Sequence, residues 1–254
     1  SLQYATARFE EVYERYLSGT DTDVYLTIVP DKSYFLADEN DCPSMDYDAL
    51  AEQVRDGMEY AQYIDIFGDL QISDYYHTDA HWKQERITDV AWHLAGAMGV
   101  ELTQQYETKE LEKPFYGVYY GQLALPVKPD TLYYLDNDML DHCTVYDYED
   151  HAENKIYDLT KTEGNDLYEI FLGGSKTLLS IENPNAKTDR ELIMFRDSFG
   201  SSIAPLLADG YAKITLVDLR YLPMERIENY IDFKDQDVLF LYSTSVLNHS
   251  ETLK

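Results

Sequence analysis

Two rhythms of apolar and polar positions alternate along this 254-residue chain. From 8 to 17, Phe9, Val12, Tyr13, Tyr16 and Leu17 share one helical face. The run VYLTIV at 24–29, stopped by Pro30, reads as a strand buried on both faces. Leu50, Ala51 and Val54 predict a helix over 46–58, and 60–67 is a further strand candidate. Over 84–98, Ile87, Val90, Ala91, Leu94 and Met98 recur at helical spacing, with Gly99 placed to cap the end. Between 114 and 172 the period shortens to two, with Gly, Pro, Asp and Asn as breaks, which predicts hairpins with strands near 117–125, 131–135 and 142–148. After Asn185 the first rhythm returns: strand ELIMF (191–195), helix 202–208, strand ITLVDL (214–219), helix 223–230 opened by Pro223, and strand VLFLY (238–242). Strands alternating with helices imply right-handed crossovers and a mostly parallel sheet. The expectation is one α/β domain over 1–254 with a β-rich insertion at about 114–172.

Composition narrows the partners. Acidic residues number 48 against 20 basic ones, a net charge of -28. Such a surface repels nucleic-acid phosphates and anionic lipid, but leaves a carbohydrate partner open. The 24 tyrosines suit sugar or peptide surfaces and equally suit strands. Cys42 and Cys143 are able to pair, and neither belongs to a metal-ligand spacing. No cofactor motif is present, and no run is long and apolar enough to cross a membrane as a helix.

Two clusters carry chemistry. The first, RDSFGSS at 196–202, lies between a strand and a helix. Ser198 there stands at a strand's carboxyl end, and the amide of Phe199 and the helix start supply N–H groups able to hold an oxyanion. An N-cap role for this serine, or for Ser201 or Ser202, competes with that reading. The second, YYHTDAHW at 75–82, precedes the helix over 84–98. Asp79, two residues before His81, is spaced to hold one imidazole nitrogen and leave the other to take a proton from Ser198. Trp82 and Tyr76 are candidate walls for substrate. Capping by Thr78 or Asp79 is the plain alternative, and a metal site is the chemical one: His77, Asp79 and His81 would point the same way in an extended segment and could hold a divalent ion. Weaker oxyanion candidates are Gly173-Gly174, Asn183 and Asn185, and Lys32 after the first strand is a candidate pocket residue.

With YYHTDAHW, RDSFGSS, VYLTIVPDKSYF, FLGGSKTLLSIEN and ITLVDLRYL in view, the chain from about 24 to 242 resembles the DHHW proteins and the alginate O-acetyltransferases of the SGNH hydrolase superfamily. That resemblance implies a three-layer α/β sandwich with an SGNH-hydrolase-like, flavodoxin-like strand order. It implies a Ser-His-Asp triad in permuted order, with Ser198 as nucleophile, His81 as base and Asp79 as its partner. Ala80 stands where the family name has a histidine; the alginate enzymes also vary there. The superfamily's Gly and Asn oxyanion blocks have no clear counterpart, so Gly174 and Asn183 stand in for them. The resemblance further implies an extracytoplasmic bacterial setting, often behind a membrane anchor, and acyl-ester chemistry on a carbohydrate with a membrane-bound protein as acyl donor.

Overall fold

The computed structural model describes residues 1–123 and 127–254. The described residues form ten strands: β1 Val24–Val29, β2 Gln62–Tyr63, β3 Glu107–Glu110, β4 Tyr133–Asp136, β5 Thr144–Asp147, β6 Ala152–Asn154, β7 Leu178–Glu182, β8 Glu191–Arg196, β9 Lys213–Val217 and β10 Asp237–Ser243. Eight of them make one sheet in the order β2-β1-β10-β8-β9-β7-β5-β6; β3 and β4 pair separately. The strands β2, β1, β10, β8 and β9 are mutually parallel, and β7, β5 and β6 continue the sheet antiparallel.

The central parallel strands β1, β10, β8 and β9 are mostly apolar because both of their faces are covered. Leu239 and Leu241 of β10 belong to one core, with Val90 and Leu94 of helix Thr88–Ala97 and Ile203, Ala204 and Leu207 of helix Gly200–Leu207. Val238, Phe240 and Tyr242 of the same strand turn to the other core, with Phe9 and Val12 of helix Leu2–Val12 and Leu50 and Val54 of helix Tyr47–Asp56. Alternation of side chains across the pleat thus builds three layers, helix, sheet and helix. One detail departs from the flavodoxin order. The last strand, β10, inserts between β1 and β8 instead of standing at the edge.

The insertion is more mixed than its period suggests. Strands β4 and β5 form close to the expected places, and β5 with β6 extends the main sheet rather than standing apart. The segment expected as a strand over 117–125 is instead a helix, Val118–Leu123, with the remainder of that expectation outside the described residues. The strand expected over 60–67 contracts to Gln62–Tyr63, and the helix over 84–98 divides into a 3-10 turn, Gln84–Arg86, and Thr88–Ala97. Gly99 takes the left-handed conformation at φ +71 that a helix C-cap requires. Cys42 is exposed and Cys143 buried, and they do not pair. No helix of the described residues is long and apolar enough to cross a membrane.

Candidate active site

The turn after β8 carries Ser198. Asp197, fully buried, ties that turn down: one carboxylate oxygen accepts from the Ser243 amide at the end of β10 (2.8 Å), the other from the Phe199 amide (3.0 Å). Beneath it, the buried Arg196 donates to the Asp197 carbonyl (3.3 Å) and to Ser201 Oγ (3.2 Å). Gly200 is small by need, since a Cβ there would lie 2.8 Å from the Arg196 Cβ. Ser198 itself does not cap the helix: Phe199 occupies the N-cap position and no side chain bonds the helix start. Of the residues from 195 to 200, only Ser198 is left partly exposed.

Its hydroxyl meets His81, with Ser198 Oγ 2.7 Å from His81 Nε2. His81 Nδ1 lies 2.6 Å from Asp79 Oδ1, which also accepts the His81 amide at 3.0 Å. The three groups form one continuous array although 117 residues separate the serine from the histidine. Burial opposes ionisation of Asp79, but the bond to His81, that ring's charge and the amides of Val118 and His81 outweigh it and hold the carboxyl below its ordinary value. An ionised Asp79 with an N–H on Nδ1 leaves the Nε2 lone pair facing the hydroxyl.

Residues that sequence reasoning passed over hold the His81 loop. Asp130 accepts from the amides of His77 (2.9 Å) and Thr78 (2.7 Å) and from the Thr78 hydroxyl (2.6 Å). The amides of Gly117 and Val118 donate to Thr78 Oγ1 and Asp79 Oδ2, both at 3.0 Å. Tyr168 stacks on the His81 ring with centroids 3.9 Å apart and planes 11° apart; its hydroxyl reaches Ser202 Oγ (2.8 Å) and donates to the Ser198 carbonyl (3.3 Å). Phe199 packs on another side of the imidazole. Asp130, Tyr168 and the 117–118 amides come from the insertion, where only an isolated Asp or Tyr among many was visible in the sequence.

Several expected roles change. Lys32 is no open pocket donor: its ammonium donates to the carbonyls of Tyr76 (2.8 Å), His77 (3.1 Å) and Asp79 (3.2 Å) and sits 4.8 Å over the Tyr119 ring. Burial lowers its pKa, against the opposing pull of Asp130 and Asp79. Trp82 is buried in the core, bonded to Ser202 Oγ (2.8 Å) and edge-on to Phe199, so it supports the site from beneath. Tyr76 is likewise buried, against Phe115 and Tyr168. Asn183 lies at the wrong edge: β7 runs antiparallel, so its end faces the start of β9, and the Asn183 amide group donates to the Ala208 carbonyl (2.9 Å). Asn185 follows it there, its amide bonded to Asn183 Oδ1. Gly174 stands at the correct edge, but its N–H closes a turn onto the Phe171 carbonyl (3.2 Å). The Phe199 N–H is spent on Asp197, whereas among the described residues no acceptor takes the Ser198 N–H. The metal grouping also dissolves. The 77–80 segment bends rather than extends, His77 is exposed while Asp79 is buried against His81, and the described residues contain no cluster of three potential ligands.

No curated protein sequence matches the chain. Among solved structures, a DHHW family protein from Eubacterium siraeum is 23% identical, with a TM-score of 0.76 over 97% of this chain and 84% of that one. Bacillus cereus PatB1 is 18% identical, with a TM-score of 0.71 over 97% of this chain and 90% of its own, and has also been solved with a sulfonyl adduct. The O-acetyltransferase domain of Pseudomonas putida AlgJ is 13% identical, with a TM-score of 0.57 over 97% of this chain and 83% of its own. At these identities the likeness establishes a shared α/β fold. The family model for DHHW proteins matches residues 66–217, a span that takes in both the His81 and the Ser198 motif, and the chain belongs to that family.

Proposed function

We propose that this protein is a serine-dependent enzyme that moves an acyl group to or from a carbohydrate, as an O-acetyltransferase or an acetylesterase. The observation that carries the reading is the Asp79–His81–Ser198 array, with contacts of 2.6 and 2.7 Å. His81 Nε2 takes the hydroxyl proton as Ser198 Oγ attacks the acyl carbonyl, and the Ser198 N–H, at the start of a helix, receives the charge that develops on the carbonyl oxygen. The tetrahedral species collapses, the ester C–O bond breaks, and the leaving alcohol takes the proton from His81. A sugar hydroxyl, or water, then surrenders a proton to His81 and attacks the acyl-serine; the acyl–Oγ bond breaks, His81 returns the proton to Ser198 Oγ, and the acylated sugar or the free acid is released. Support comes from the fold shared with a domain described as an O-acetyltransferase. A surface or secreted glycan, an extracytoplasmic setting and a membrane-bound acyl donor accompany this reading.

The test is hydrolysis of p-nitrophenyl acetate, with and without prior treatment by a phenylmethylsulfonyl reagent. Loss of activity together with a mass increase on the peptide holding Ser198 is expected. Labelling confined to other residues, with activity retained, would refute the assignment.

A further inference from the structure

A cavity of about 440 Å³, one hydrogen bond removed from Asp79 through Val118, is lined by Tyr116, Tyr120, Lys113, Asn165 and Asp166 together with the 117–118 turn. Its walls are continuous with the catalytic array. The Val118 amide bonds Asp79, and Asp166 lies two residues before Tyr168, the ring stacked on His81. Two residues of chain reach only about 7 Å. Tyr116 and Tyr120 pack as a tilted pair, with ring centroids 4.5 Å apart and planes inclined at 55°, and remain 42% and 37% exposed. The rim carries one charge of each sign. The Lys113 ammonium is taken by the carbonyls of Thr162 (2.8 Å) and Gly164 (2.7 Å), and Asp166 supplies a carboxylate with one oxygen on the Tyr168 amide (2.9 Å).

From this arrangement we infer that the cavity is the acceptor subsite for a sugar residue of an uncharged glycan, held by stacking on Tyr116 and Tyr120 and by hydroxyl contacts to Asp166 and Asn165. The inference rests on the carbohydrate reading above and narrows it. Aromatic faces suit the C–H faces of a pyranose, and carboxylate and amide groups suit its hydroxyls. A polyanionic chain would approach a protein carrying a net charge of -28, which repels it.

The experiment is affinity electrophoresis of the Ser198→Ala protein, which binds without turnover, in native gels containing β-glucan, xylan, mannan or polygalacturonate at low salt. Retardation by at least one neutral polysaccharide and none by polygalacturonate is expected. The Tyr116→Ala/Tyr120→Ala form of the same protein should be retarded at least about fivefold less, in keeping with the loss of two aromatic contacts. Both tyrosines are surface-exposed, and circular dichroism will report that the fold is kept. Retardation that is greater with polygalacturonate, absent with every neutral polymer, or unchanged in the tyrosine variant overturns the inference. Hydrolysis of p-nitrophenyl acetate by the unaltered protein tests the serine chemistry separately, so failure of the subsite and failure of the enzyme reading are distinguishable.

Discussion

Tyr168 lies face to face with His81 at 3.9 Å, while its hydroxyl bonds Ser202 Oγ and the carbonyl of Ser198. One side chain therefore fixes the plane of the base and the height of the serine together. Its face also becomes more attractive to the ring once His81 carries the proton. Tyr168→Leu should lower kcat for an acetyl ester by about tenfold, the equivalent of roughly 1.4 kcal/mol, with little change in KM. Tyr168→Phe keeps the face and should stay within about threefold in rate, while the lost buried hydrogen bonds cost about 1 kcal/mol in denaturant unfolding. Equal kcat in the Leu variant and the parent would reduce Tyr168 to a packing residue.

The triad should behave as a unit. Ser198→Ala and His81→Ala are each expected to lower ester hydrolysis by at least about a thousandfold, and the double variant should be little worse than either. Because Ser198 caps no helix, its removal should change stability by less than about 0.5 kcal/mol. Asp79→Asn should lose activity by leaving the imidazole in the wrong tautomer. His77→Ala, which alters an exposed ring, should retain activity. Kinetics showing a dead His77 variant and a fully active Ser198 variant would reverse the assignment in favour of a metal.

Gly117 marks the closest approach of the insertion to the triad. A Cβ there would sit 2.7 Å from the Asp79 Cα and nearer still to its Cβ and the Thr78 carbonyl oxygen. Gly117→Ala should therefore cost about 1–3 kcal/mol in stability and push Asp79 out of line, with a fall in kcat at temperatures where the variant remains folded. Gly96, in helix Thr88–Ala97, has open space around it, and Gly96→Ala should instead raise stability by about 0.5–1 kcal/mol. Paired melting curves and rates for the two variants decide the matter, and a fully active, fully stable Gly117→Ala protein would contradict the packing.

Acid should expose the contribution of Asp79. A carboxylate whose native pKa lies below the unfolded value of roughly 3.9 adds stability above that pH and loses it as pH falls through the native value. Urea midpoints measured from about pH 6 to pH 3 should thus fall less steeply for Asp79→Asn than for the parent, and the gap between them should close toward the acid end. A gap that widens in acid would mean that the native carboxyl is raised rather than lowered.

How much of this was legible in the chain itself follows from which interactions are local. Strands β1, β8 and β10 emerge nearly residue for residue from runs of apolar residues, because a strand buried on both faces must be apolar throughout. The two motifs could be read because turn chemistry and the Asp79-to-His81 spacing lie within a few residues, and the permuted order of the triad survives any strand arrangement. What lay beyond reach depended on direction and contact across long separations. Gly174 and Asn183 flank β7, and the antiparallel course of that strand decides that Gly174, not Asn183, stands at the edge of Ser198. The segment 118–123, VYYGQL, has the aromatic and apolar residues of a strand but folds as a helix, with its start held by Thr78 and Asp79. Lys32 looked like a pocket cation, and only the fold brings it under three carbonyls of the His81 loop. Asp130 and Tyr168 were two among many acidic and aromatic residues until the insertion packed against that loop. Local pattern thus determined most of the main elements and brought Asp79, His81 and Ser198 forward as candidates, whereas tertiary packing decided which residues hold those groups at bonding distance, because each such contact joins segments that carry no mutual signal in the sequence.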